Sequence, residues 1–161
     1  MRAKCSVRQM FASDLWAVVR IDHECFPHPW RFEDYQKYLR RKHLGFGLVA
    51  EIDGFVVGFM LCRYDSCGRI LKLTNCAVAV DHWRMGIATC MLQHLSEIMS
   101  HLPGEVTMAV AFIESNKPAQ GLFRSAGFRI VARIPGYFRA TNEAAYLMRR
   151  DARRLVPYER D

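Results

Sequence analysis

The chain predicts an α+β domain whose elements run β-αα-βββ-α-β-α-ββ. Three observations carry that order. Asp53-Gly54 joins two apolar runs, residues 46–52 and 55–63, and a two-residue Asp-Gly link between such runs predicts a hairpin. Residues 86–101 place Ile87, Cys90, Met91, Leu92, Leu95, Ile98 and Met99 at helical spacing, after an apolar strand over residues 70–80. Residues 118–126 predict a short helix that Gly127 stops, and a strand over 128–134 follows at once.

The remaining elements follow from the same signals. Residues 6–8 predict a first strand. Ser13 or Asp14 can cap a helix reaching about Cys25, with Leu15, Val18, Val19 and Ile21 on its apolar face. Phe26-Pro27-His28-Pro29-Trp30 breaks it, because two prolines oppose helix. Helix resumes over residues 31–42, where Phe32, Tyr35, Tyr38 and Leu39 recur on one face. Cys67-Gly68 predicts a turn and Pro103-Gly104 a helix end. A strand spans 106–112, Pro135-Gly136 opens a loop, and a last strand covers 144–149.

A length of 161 residues suits one domain over residues 1–161, with a charged tail from about residue 150. No apolar run is long enough to span a membrane and no signal-type core follows the first residues, so a cytoplasmic protein is expected. The six cysteines, at 5, 25, 62, 67, 76 and 90, are then read as reduced thiols. Cys62 and Cys67 lack partners at zinc-ligand spacing, so no metal is expected. The net charge of +7 suits an anionic ligand or a plain basic surface. Its clusters, Arg40-Arg41-Lys42 and Arg149-Arg150 with Arg153-Arg154, lack interleaved aromatics, so direct nucleic-acid recognition is not expected.

The most informative stretch is residues 75–92, where an apolar strand enters a short basic turn and then a helix. Gly86 and Ala88 are small residues at the helix start, and they let a ligand approach the backbone. The first helical turn has unpaired N–H groups and the positive end of the macrodipole. Arg84 adds a mobile charge, so the junction reads as a pyrophosphate cradle. It has neither the Gly-Lys-Ser/Thr of a P-loop nor a G-x-G-x-x-G.

Arg84-Met85-Gly86-Ile87-Ala88 resembles the R-x-G-x-G/A core of the GNAT superfamily of N-acetyltransferases. The block from Asn116 to Phe128 resembles that family's N-x-x-A-x-x-L-Y-x-x-x-G-F signature, 30 residues beyond Gly86. Within the family the resemblance is nearest to ribosomal-protein-alanine N-acetyltransferases, and residues 75–92 align with them without gaps. The resemblance implies a mixed, mostly antiparallel sheet flanked by helices. Two parallel strands, residues 71–80 and 106–112, splay apart in it to admit the acetyl thioester. It implies acetyl-CoA as donor. Backbone groups of Cys76, Ala77 and Val78 would pair with the pantetheine arm, while Arg84, Met85, Gly86, Ile87, Ala88 and Thr89 would hold pyrophosphate. Asn116 would contact the cofactor. Phe26 and Trp30 resemble the F-P-W segment near the peptide site, and Tyr137-Phe138 resembles a Tyr-Tyr pair that shapes it, so Phe26, Trp30 and Tyr137 are the candidate acceptor contacts.

Acetyl transfer needs a neutral amine, a stabilised oxyanion and a proton for the departing thiolate. An α-amine, with a pKa of about 8, needs less help than a lysine at about 10.4. The resemblance implies a Glu base where this chain has Ala111 and a Tyr acid where it has Phe123. Neither can exchange a proton. Three accounts follow: Glu114 or Tyr137 substitutes; positioning and water suffice; or the protein binds acetyl-CoA with little catalysis. The leading expectation is transfer to a protein N-terminus, a ribosomal protein by resemblance. The alternatives are a small amine or lysine acceptor, and a weakly catalytic acyl-CoA-binding module.

Overall fold

Local signals settle most boundaries. In the computed structural model, which describes residues 4–41 and 45–151, Asp53 and Gly54 both take positive φ, 52° and 81°. That is the left-handed pair that a tight hairpin needs, and it turns β2 (Phe46–Ile52) into β3 (Phe55–Asp65). β1 (Ser6–Gln9) pairs antiparallel with β2, Val7 opposite Ala50, and β2 pairs antiparallel with β3. β4 (Ile70–Val78) follows β3 in the strand order.

The described residues fall into two compact units. The first comprises residues up to Tyr64 with Leu73–Glu97, and the second comprises Asp65–Lys72 with the chain from Ile98 onward. In the first, α1 (Leu15–Cys25) buries Leu15, Val18 and Ile21 in a cluster with Met10, Tyr35, Val49, Phe59, Leu61 and Ala77. Asp14 does not cap α1 through its side chain; its carboxylate accepts from the Phe11 N–H and from Arg8 instead. α2 (Phe32–Arg40) buries Tyr35, and Lys42, the last residue predicted for this helix, lies outside the described residues. α3 (Ile87–Ser100) buries Ile87, Met91, Leu92 and Leu95 as its spacing predicts. Gly58 on β3 makes room for it, since a Cβ there would stand 3.3 Å from Ile87 and from Met91.

In the second unit, β7 (Glu143–Asp151) pairs antiparallel with both β5 (Thr107–Ile113) and β6 (Arg129–Phe138). β6 runs through Pro135-Gly136, where a loop is expected from sequence. Proline is tolerated because β6 ends the strand order and its pairing is irregular between Ile134 and Phe138. α4 (Lys117–Ser125) ends as predicted: Gly127 has φ +88°, and the Phe128 N–H reaches back to the Phe123 carbonyl at 2.9 Å. The expected charged tail lies almost wholly outside the described residues.

Candidate active site

The strand-to-helix junction is built by backbone conformation. β4 stops at Val78, two residues earlier than predicted, and a single 3-10 turn covers Val80–His82. Arg84 and Gly86 then take left-handed φ, +60° and +78°. The Gly86 carbonyl accepts the Cys90 N–H at 2.9 Å, the first bond of the helix. The N–H groups of Ile87, Ala88 and Thr89 therefore have no helical acceptor. Gly86 brings no side chain over them, and the first turn of α3 contains no acidic residue to offset the dipole. By contrast, α2 opens on Glu33 and Asp34, and α4 is capped by Asn116, whose Oδ1 accepts the Ala119 N–H at 3.1 Å. The space above Gly86 is open, with no atom within 4 Å of a notional Cβ. In the 3-10 turn before it, His82 Nδ1 is enclosed without a hydrogen-bond partner among the described residues. An open cradle of unpaired N–H groups at a helix start suits a phosphate ligand.

The strand leading to this turn has two edges. The Ala79 N–H donates to the Val57 carbonyl on β3 at 2.8 Å, so by alternation Ala77 also faces β3, whereas Cys76 and Val78 turn their backbone groups the other way. By the same alternation Ala77, one of the residues expected to share in pantetheine pairing, directs its backbone toward β3. The Val78 carbonyl accepts two donors, the Trp83 indole Nε1–H at 2.7 Å and the Cys25 thiol at 3.2 Å. Burial, with the Cys25 thiol, pushes Cys76 up to about 12, which keeps it protonated and rules against a thiolate nucleophile.

The aromatic loop is anchored by a carboxylate that sequence reading did not single out. Asp22 is 1% exposed. Its Oδ2 accepts from the Tyr35 hydroxyl at 2.7 Å and from the Trp30 N–H at 2.9 Å. Asn75 Nδ2 donates to the Tyr35 oxygen at 3.0 Å, which ties this network to the residue before Cys76. Burial, and then Asp22, push the Tyr35 phenol well above its ordinary range. The Trp30 ring lies 5.3 Å from Tyr35 and 6.0 Å from Tyr38. Phe26 and Trp30 are both half-buried against the first unit's core, so each packs as well as presenting a face.

The remaining candidates belong to the second unit. Phe123 is buried, 5.7 Å from Phe112 and 5.2 Å from Phe128, an apolar setting that explains a phenyl ring without a hydroxyl. Ala111 pairs with Leu147 across β5 and β7. Glu114 is gripped by Arg133 through two bonds, 2.8 and 2.9 Å. That guanidinium, with the Tyr146 hydroxyl, holds its carboxyl down at about 2, which makes it a weak base. Tyr137 is half exposed, with its ring edge-on to Phe138 at 5.0 Å. Among the described residues no cluster of His, Cys, Asp and Glu is arranged to hold a metal, and no helix is long and apolar enough to cross a membrane.

Comparison with known proteins bears on the family and the fold. The acetyltransferase (GNAT) family model matches residues 15–128. The chain is 27% identical to an N-alpha-acetyltransferase of Sulfurisphaera tokodaii over 88% of its own length and 90% of the relative's. It is 26% identical to an N-alpha-acetyltransferase of Saccharolobus solfataricus, over 90% and 92%. The crystal structure of the ribosomal-protein-alanine N-acetyltransferase from Escherichia coli superposes with a TM-score of 0.82 at 20% identity, over 92% of this chain and 94% of that one, which shows the same fold. Acetyltransferases of this family take their acetyl group from acetyl-CoA. A mixed α+β fold, an open anion cradle opening α3 and a family match over most of the chain converge: the protein belongs to the GNAT family and is an N-acetyltransferase of that type.

Proposed function

We propose that this enzyme transfers acetyl from acetyl-CoA to the α-amine of a protein N-terminus, by direct attack within a ternary complex. The observation that carries the reading is the Asp22 network, which joins the Phe26–Trp30 loop, through Asn75, to the strand assigned to the donor. Such a tie holds an acceptor platform in register with the thioester, and positioning of this kind supplies much of the rate in a two-substrate reaction. Similarity to N-alpha-acetyltransferases along most of the chain supports the same acceptor class. A ribosomal protein is the leading substrate by resemblance.

Pyrophosphate lies against the backbone from Arg84 to Thr89, and the pantetheine arm pairs with Cys76 and Val78. Asn116 holds its place at the head of α4, where its capping bond through Oδ1 leaves the side-chain amide N–H groups for the donor. Phe26, Trp30 and Tyr137 contact the acceptor. An α-amine at about 8 is partly neutral at physiological pH, so the missing Glu and Tyr at positions 111 and 123 cost this substrate less than they would cost a lysine. Of the two substitutes, Tyr137 is the better proton donor to the leaving thiolate, because Glu114 is held by Arg133. The absence of both usual groups favours one second reading, an acyl-CoA-binding module with slow turnover.

Release of CoA from acetyl-CoA, measured against N-terminal peptides, small amines and lysine peptides across pH, decides among them. Turnover with peptides beginning Ala or Ser supports the proposal. Turnover confined to small amines or lysine moves the acceptor class, and binding without turnover to any of them selects the module.

A further inference from the structure

The position of Trp83 gives the free enzyme a feature of its own. Cys76 and Val78 direct their backbone groups away from β3. A carbonyl without a donor is costly where water is excluded. Here the Val78 oxygen is satisfied from within the chain, by the Trp83 indole N–H five residues on and, less closely, by the Cys25 thiol. A carbonyl has two lone pairs, and both have a donor. Val78 is one of the two residues read above as pairing with the pantetheine arm, and where that pairing uses its carbonyl an incoming amide N–H and the indole compete for one site.

The competition is unequal in what each group loses. Trp83 is 58% exposed, so moving its ring away uncovers little apolar surface. The Cys25 thiol is on α1, in the core cluster's periphery, and is a weak donor that can stay. The indole is therefore the group that yields. We propose that Trp83 is a built-in occupant of the donor strand: its N–H holds the Val78 carbonyl in the free enzyme and gives it up to the pantetheine amide when acetyl-CoA binds. The inference rests on the reading of Cys76 and Val78 as the donor strand. It assigns Trp83 a role in setting donor affinity.

The test uses the full chain labelled on its three indole nitrogens. The Trp83 indole N–H resonance is the one missing from Trp83→Phe, and Trp83→Tyr gives a second assignment. Saturating acetyl-CoA is expected to move that resonance upfield, toward a free indole. Trp83→Phe, which keeps an aromatic ring but has no N–H to displace, is expected to bind acetyl-CoA roughly two- to tenfold more tightly, the span of one ordinary hydrogen bond. An unmoved Trp83 resonance in donor-saturated wild type overturns the inference alone. So does equal or weaker binding by a folded Trp83→Phe. Failure of wild type and variant alike to bind acetyl-CoA overturns the donor-strand reading, and this inference with it.

Discussion

Gly86 is where one side chain matters most. Its φ of +78° is left-handed and the space above it is open, so on the proposed reading what a side chain would meet there is the donor. Gly86→Glu costs about 1–2 kcal/mol in backbone strain, which the fold should survive. It also puts bulk and negative charge at the N-terminus of α3, so acetyl-CoA affinity should fall at least roughly a hundredfold, or about 2.7 kcal/mol. Titration calorimetry beside a thermal melt checks both, and a folded variant with native affinity would remove the loop from the donor site. Asp14 offers a pH test. The Arg8 guanidinium beside it, at 2.8 Å, holds its carboxyl below the ordinary aspartate value. A depressed carboxyl contributes stability that is complete above its unfolded pKa and lost as pH falls through the folded one. Wild type should therefore lose melting temperature below about pH 4, and Asp14→Asn should be less stable at neutral pH but lose less on acidification. Parallel slopes for the two proteins would show that the pair does not report on folding.

Among the elements, the joint of α1, α2 and β4 is the one most exposed to a small chemical change. Tyr35 is fully buried, and its hydroxyl bridges Asp22 and Asn75. Tyr35→Phe keeps the ring against Trp30 and Phe59 but removes one donor from a buried carboxylate. The expected loss is about 1–3 kcal/mol of stability, read from denaturant unfolding. Because Asp22 would still hold the Trp30 N–H, the aromatic loop should loosen rather than detach, and KM for an acceptor peptide should rise more than KM for acetyl-CoA. A variant as stable as wild type would mean that the network is solvated more than its burial implies. The hairpin at Asp53-Gly54 and the α4 stop at Gly127 are, in contrast, set by two or three adjacent residues each, and their left-handed φ values match the sequence expectation.

For the molecule as a whole, the excess of basic residues is the property most directly open to test. A net charge of +7 attracts a polyanionic donor at long range, and salt screens that attraction within about 8–10 Å near physiological strength. KM for acetyl-CoA should therefore rise several-fold between about 0.05 and 0.5 M salt, with kcat little changed, since the short contacts at the cradle are screened less. A KM that ignores salt would assign the basic residues to solubility alone.

Adjacent residues determined much of this protein by themselves. Periodicity and turn chemistry are short-range effects, so the order of strands and helices, the α3 face of Ile87, Met91, Leu92 and Leu95, and the Arg84–Gly86 turn could all be read from spacing. What tertiary structure decided is which distant groups meet. Asp22 and Asn75 are 53 positions apart and Glu114 and Arg133 are 19 apart, and no local rule pairs them. The backbone direction of Ala77 follows from strand register, where one residue of shift exchanges the two edges. Pro135 remains within β6 because the pairing with β7 is irregular there and the strand has an open edge, a property of the sheet and not of the dipeptide. That the Trp83 indole reaches the Val78 carbonyl is likewise visible only in the fold. Local steric preference acts over a few residues, whereas hydrogen-bond pairing in the core depends on contacts that exist only once the chain has closed on itself.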